Sequence, residues 1–577
     1  MHAFWFGLFA CRATAPGVEP TPPEPVESVE VTSPAEVRDV VYFVFVDRFA
    51  DGRPDAPGTV DRADPQAWHG GDLQGVIDRL DHLQDLGVGG VWLSPITQAR
   101  TEKIDEWGAF HAYWVEDLGA VEPRLGTMDE ARALSAELDR RGMGLWLDIV
   151  YNHVGYDTPL TTEQPDWFHH NGDILDWNDP VQVVTHDVHG LPDLAQENPE
   201  VYAHLLDASL FWLRELKPTG FRVDAVRHLP DGFLARMGDA LRAESEGGFE
   251  MLGEVFEGHA GALAARQRSD KLDRVFDFPL HYAMKDVFCG DQHLGRIAST
   301  LSQDRAYTNP KALVTFLDNH DVSRIRSACG EDRDRMARAV AFLLASRGTP
   351  CLTYGTEAAL SGAEEPANRA DMVFEGEGTD PEMHALLKAL MDLRAQSPAL
   401  RDGTTVIEQA TATSLVVRRD TEAERAWIAV NLGDAEVPGP AGLPEDAHGW
   451  WVSGATAPVA ATDRVPPDSV AIWLAPNPKA KPTPDPVPWT LTLTDEADTP
   501  TRLVGAGDAL GNWNPDAAPA FTDGTLTLTV PHGDVLAFKL VRQNANGSWT
   551  WEDRSDRYAH VQGQRTDDLS WNATDAP

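Results

Sequence analysis

The chain has 577 residues, too long for one ordinary domain, and its 42% hydrophobic and 24% charged content is that of a folded protein in water. Asp and Glu number 91 against 48 Lys and Arg, a formal charge of −43, which repels phosphate backbones and leaves no broad basic surface for nucleic acid. A neutral ligand such as a sugar suits this balance, and the acidity reads either as that of a soluble exoprotein or as adaptation to a salty medium that screens self-repulsion.

Residues 1–36 read as an export signal followed by a flexible tether: an apolar run from Ala3 to Ala10 gives way at Cys11 to Pro- and Glu-rich sequence. Leu8–Phe9–Ala10–Cys11 resembles a bacterial lipoprotein cleavage box, although Met1–His2 lacks the usual basic start. Membrane attachment through a lipidated Cys11 and plain secretion therefore stand as alternatives, and both place the protein outside the cell or on its surface.

From Val40 apolar runs alternate with amphipathic segments. Leu73, Val76, Ile77, Leu80, Leu83 and Leu86 recur at helical spacing, and Gly87 stops the helix before the strand at Val91. Thr127 and Glu130 form a capping box for the next helix, which Gly142 ends. Strands are expected at Val41–Val46, Val91–Ile96, Leu145–Val150, Phe221–Val226, Met251–Phe256, Val275–Phe278, Leu313–Leu317 and Cys351–Tyr354, and eight strands alternating with helices indicate a (β/α)8 TIM barrel over 37–400.

The stretch of about 154–199, after the third strand, is too long for a barrel loop and reads as an excursion domain. Alternating runs predict a β-sandwich over 401–475, a Pro-studded linker over 476–488, and an all-β module over 489–577. Cys289, Cys329 and Cys351 lack zinc-like spacing; buried thiols are the default reading and one disulfide among them the alternative.

Four segments end an apolar strand in carboxylates, His and Arg: Asp148–His153, Gly220–His228, Gly253–Val255 and Phe316–Asp321. Unpaired buried charge is expensive, so its recurrence on successive strands implies a shared polar pocket, which a barrel places at the C-terminal mouth of its strands. Glycosidic cleavage needs two acids of different pKa facing each other, and Asp224 and Glu254 fall on adjacent expected strands. Arg222, two residues before Asp224 and on the same strand face, is placed to orient that carboxylate.

At these residues the chain resembles the α-amylase family of glycoside hydrolases, from about Val40 to Ala475, with His69–Gly70–Gly71–Asp72, Phe110–His111–Ala112–Tyr113–Trp114, Gly348–Thr349–Pro350 and Tyr354–Gly355 as further landmarks. The resemblance implies Asp224 as nucleophile, Glu254 as general acid/base and Asp321 as third carboxylate, with Tyr113, His153, Arg222 and His320 around the sugar. Arg227 stands where many relatives carry Lys, and with His228 it is implied on the leaving-group side. It also implies a structural Ca2+ held by Asn152, Asp193 and the carbonyl of His228; hard oxygen donors from separate loops suit that ion. A second ion near Asp47, Asp51 and Asp55 is the weaker alternative to a solvated acidic turn.

The C-terminal module resembles starch-binding domains of carbohydrate-binding family 20 through Leu510–Gly511–Asn512–Trp513, Phe538–Lys539–Leu540 and Trp549–Thr550–Trp551–Glu552. That likeness makes Trp551 and Lys539 glucan contacts and Trp513 a candidate for packing or binding, while Gly524–Thr525 stands where the family places another Trp. The implied activity is retaining hydrolysis of α-1,4 bonds in starch, glycogen or maltodextrin by a monomer. Glucanotransfer or cyclisation is the first alternative, disfavoured by His189 where cyclising relatives carry a bulky aromatic, and non-catalytic surface binding is the second.

Overall fold

The computed structural model describes residues 39–571 apart from 246–247, 446, 455–458, 461–462, 478–484 and 496–498. The expected export signal and tether, with Cys11, lie outside the described residues, as does most of the expected linker. Flanking strands reach Pro476 and resume at Val487. Among the described residues no helix is long and apolar enough to cross a membrane.

Eight parallel strands form the central sheet: β1 (Val41–Val44), β2 (Gly90–Leu93), β3 (Gly144–Ile149), β4 (Gly220–Val223), β5 (Glu250–Gly253), β6 (Arg274–Val275), β7 (Val314–Phe316) and β8 (Thr349–Thr353). Their order is β6-β5-β4-β3-β2-β1-β8-β7, and a parallel bridge from Phe276 to Val314 brings the two ends together. Helices cover the outside, so strands such as β1 and β2 are buried along their whole length and read as apolar runs.

Each strand stops earlier than its apolar run. Asp224 stands one residue past β4 and Glu254 one past β5, because the ladder ends where polar side chains must turn into the mouth. The expected strand at Val275–Phe278 is cut shorter still: Asp277 caps a helix over Phe278–Phe288 by accepting from Leu280 N at 3.1 Å. The helix expected through Leu73–Leu86 is two, Leu73–Asp78 and Leu80–Leu86, broken at Arg79, and Gly87 ends the second at φ 97°. Thr127 and Glu130 make the expected capping box.

The excursion segment is pinned to the barrel by Leu194 N donating to Asn152 O at 2.9 Å and a bridge between His153 and Asp193. From Thr404 the strands pair antiparallel except for Val487–Leu493 beside Arg565–Leu569: a six-stranded sheet, then a module whose core holds Trp489, Leu491, Leu503, Phe538 and Leu540. Cys289 and Cys329 form a disulfide, correcting the default reading of buried thiols for that pair, while Cys351 is free and buried.

Candidate active site

Arg222 organises the barrel mouth. Its side chain is wholly buried on β4, Nη1 donates to Asp148 at 2.9 and 3.1 Å and to Asp224 at 2.7 Å, and Nη2 lies 2.5 Å from Glu254 Oε1 as an ion pair without hydrogen-bond alignment. Burial lowers its proton affinity, but Asp148 and Glu254 raise it more, so the guanidinium is held well above its ordinary value. Asp148 Oδ2 also accepts from Tyr113 Oη at 2.9 Å and Trp92 Nε1 at 3.0 Å. Burial pushes Asp148 up to about 7, against the pull of Arg222.

Asp224 and Glu254 thus share one guanidinium but not one environment. The Glu254 side chain is 6% exposed, that of Asp224 14%. Burial raises Glu254 well above the usual carboxylate range; Arg222 opposes this, and the charges of Asp224 and Asp321 reinforce it. Ala225, at φ 51°, turns its N–H back to Glu254 Oε2 at 3.2 Å, a left-handed non-glycine conformation of the kind that clusters at functional sites.

On the opposite wall His320 stacks on Tyr113 with centroids 5.2 Å apart and planes at 6°. Asp321 lies 3.3 Å from His320 Nε2 and 3.4 Å from Arg369 Nη2. Burial keeps His153 and His320 below their ordinary values, hence neutral at pH 7. His153 Nε2 is buried without a protein partner, and so is free for a hydroxyl. Arg227 donates to Trp177 O at 2.9 Å and His228 Nδ1 pairs with Val183 O at 2.8 Å, so both tie the excursion segment to the mouth.

In the C-terminal module Trp513 and Trp551 are near-parallel, 6.5 Å apart at 28°, packed with Trp549 over Val504, Ala518 and Val541. Trp551 pairs with Val541 across the sheet, and Lys539, two residues before Val541, lies on the same face with Nζ 3.8 Å from Asp556.

A family model described as Alpha amylase, catalytic domain matches residues 43–402, and one described as Starch binding domain matches 490–571. The chain belongs to the alpha-amylase family. It is 33% identical over 385 residues to a Beta/alpha-amylase of Paenibacillus polymyxa, covering 63% of this chain and 31% of that protein. It is 32% identical over 391 residues to an Intracellular maltogenic amylase of Bacillus subtilis, covering 64% of this chain and 63% of that one. The chain therefore spans less than two thirds of the length of either relative. An Anoxybacillus alpha-amylase structure superposes with TM-score 0.70 at 33% identity, covering 77% of this chain and 98% of its own.

In this alpha-amylase-family chain Asn152 and Asp193 each adjoin the attachment of the excursion segment: Asn152 O accepts from Leu194 N, and Asp193 bridges His153. Asn152 is fully buried and its Oδ1 has no protein partner; Asp193 is buried with Oδ2 2.5 Å from His169 Nδ1. An orphaned amide oxygen beside a buried carboxylate is a donor set that fits a hard cation. The loop near Asp47 is different. Asp47 is buried, accepts from His69 N and Gly70 N and pairs with Arg48, while Asp51 and Asp55 are exposed and Asp51 pairs with Arg62 at 3.0 Å, so the turn is solvated except at Asp47.

Sequence reasoning placed Asp148 in the shared pocket without a role and omitted Arg369 and Trp177 from the site. Asp148 carried a signal, a charge inside the run Leu145–Ile149, whereas Trp177 and Arg369 come from loops whose return to the mouth no local pattern announces.

Proposed function

We propose that the protein is a retaining α-glucan hydrolase that cleaves α-1,4-glucosidic bonds of starch, glycogen or maltodextrin. The observation that carries this reading is Arg222 bridging Asp224 and Glu254, with burial favouring the neutral form of Glu254. Contact with one guanidinium sets both carboxyls against the same sugar-sized space, and retention, with Asp224 as direct nucleophile, is what the family resemblance implies.

In the first half-reaction Glu254 gives its proton to the glycosidic oxygen as Asp224 attacks C1, so the leaving chain departs with that proton and a glycosyl–aspartate ester forms. In the second, Glu254 takes a proton from water as the water oxygen replaces Asp224 at C1, which restores both acids. Asp321, His320 and neutral His153 bind hydroxyls of the reacting ring, and the face of Tyr113 packs under it. A bound Ca2+ supplies only a rigid clamp: Asn152, Asp193 and the carbonyl of His228 would hold it, fixing the excursion segment whose Trp177 and Val183 position Arg227 and His228. The Cys289–Cys329 disulfide supports placement outside the cytoplasm.

Asp224→Asn and Glu254→Gln are each expected to lower kcat on soluble starch by about three orders of magnitude or more, as loss of a covalent or proton-transfer step does. Near-normal release of reducing ends by either variant overturns the assignment. Cyclic or disproportionated products from amylose would replace hydrolysis with transfer.

A further inference from the structure

Resting on the glucan reading above, we propose that a cavity beside the end of β1, separated from the barrel mouth by the rings of Phe45 and Phe110, is a second saccharide site that takes a short α-glucan such as maltotriose. The cavity has a volume of about 340 Å3, within the range of small-molecule sites, roughly 300–1,000 Å3. It is enclosed by the turn after β1 from Asp47 to Asp51, by His69 and the helix start that reaches Arg79, and by the segment from Asp371 to Phe374 beyond β8. None of the side chains placed at the mouth lines it. The wall between the two is aromatic: the ring of Phe45 lies 5.9 Å from His320 and 5.8 Å from Phe110, and the guanidinium of Arg48 lies over Phe110 at 3.9 Å, on the cavity side.

The floor is already satisfied. Arg48 is buried, its Nη2 donates to Pro65 O at 3.0 Å and Ala67 O at 2.9 Å, and its own carbonyl accepts from Met372 N at 2.8 Å. Two groups on the walls keep capacity for a ligand. Asp371 has a side chain 40% exposed, and among the described residues only its Oδ1 is engaged, 2.6 Å from His69 Nδ1. Arg79 lies over the ring of Phe374 at 4.2 Å and, among the described residues, pairs with no carboxylate.

Charge selects the class of ligand. Above the floor Arg62 and Arg79 alternate with Asp51, Asp78 and Asp371, so a net charge of either sign meets its own kind as well as its opposite. Hydroxyl groups donate and accept, so a neutral saccharide can use the guanidinium and carboxylate groups together. Phe374 is engaged by Arg79 and by Phe49, at 5.2 Å and 82°, and recognition here therefore rests on hydrogen bonds rather than on stacking. Arg369, two residues before Asp371, donates to His320 O at 3.0 Å and lies 3.4 Å from Asp321. The segment that closes the cavity thus also touches the mouth, and Arg79, on the far wall, is the better place to read occupancy.

The test follows hydrogen–deuterium exchange of the full chain carrying Glu254→Gln, to stop turnover, and Trp551→Ala, to weaken the face implied for the C-terminal module, as maltotriose is added. Peptides covering 73–80 should gain protection. Adding Arg79→Ala or the near-isosteric Asp371→Asn should raise the midpoint of that protection about tenfold, the loss of one hydrogen bond to a charged group, with the midpoint for peptides covering 220–226 unchanged. Inorganic phosphate and glycine serve as charged and zwitterionic probes. If either protects 73–80 as well as maltotriose does, the saccharide class is overturned. An unchanged midpoint in both variants, or protection confined to the mouth, overturns the site. Protection at neither place would strike down the glucan reading itself.

Discussion

Glu254 is raised chiefly by its own burial, but two neighbouring charges, Asp224 and Asp321, add to the effect, and one of them can be removed without touching the nucleophile. A general acid works only while protonated, so kcat/KM must fall as pH rises through the raised value of Glu254. Asp321→Asn deletes a like charge, which makes the ionised form of Glu254 easier to reach and lowers its pKa. Whatever activity survives in that variant should therefore show its alkaline limb displaced to lower pH, as read from a pH profile of kcat/KM. A limb that stays in place or moves upward would show that Asp321 does not act on the acid. The positions of Asp224 and Glu254 at the barrel mouth were legible because each ends an apolar run, while the roles proposed for them came from the family resemblance. Asp148 was harder to read, since its importance lies in the Arg222, Tyr113 and Trp92 groups it gathers from three other elements.

Among the elements, the segment His69–Gly70–Gly71–Asp72 shows why a sequence landmark can be structural. An added Cβ at Gly71 would stand 2.1 Å from Val46 O, and Asp72 caps the following helix by accepting from Gly75 N at 2.7 Å. Gly71→Ala must therefore push backbone away from the end of β1, and it is expected to cost about 1–3 kcal/mol, the usual range for overpacking, read as a lower thermal midpoint. The strands themselves were visible as apolar runs, but their ends were not, because the same β-branched and aromatic residues continue past the last ladder pair into the loops that carry the site. The excursion segment was visible only as excess length. Its attachment at Asn152 and Asp193 leads to a further expectation: a chelator should lower the thermal midpoint, and Asn152→Ala should abolish most of that difference. Equal midpoints for the wild-type protein with and without chelator would argue against a clamp there.

At the scale of the whole molecule, composition spoke clearly about charge and not at all about docking. No periodicity in Gly295–Ser302 or Asp534–Gln543 announces that they pack together, since each has an apolar face that any partner could cover. The disulfide between Cys289 and Cys329 was likewise open in the sequence because pairing depends on where two helices end. Charge is simpler to argue. With 91 acidic and 48 basic residues the folded chain carries a formal −43, and compaction brings those like charges closer. Salt has two opposed effects: it weakens favourable pairs such as Arg132–Glu215 and Arg305–Asp534, and it screens the general repulsion. Exposed pairs are worth at most about 1 kcal/mol each, and the buried Arg222 network lies out of reach of mobile ions. The unpaired acidic excess acts over the whole surface, within a screening length of about 8 Å at physiological ionic strength. Repulsion should therefore dominate, and the thermal midpoint should rise as sodium chloride is added from low ionic strength. A melting series at fixed pH decides the matter, and a midpoint that stays flat or falls would mean that the acidic side chains are already spaced or paired well enough to need no screening.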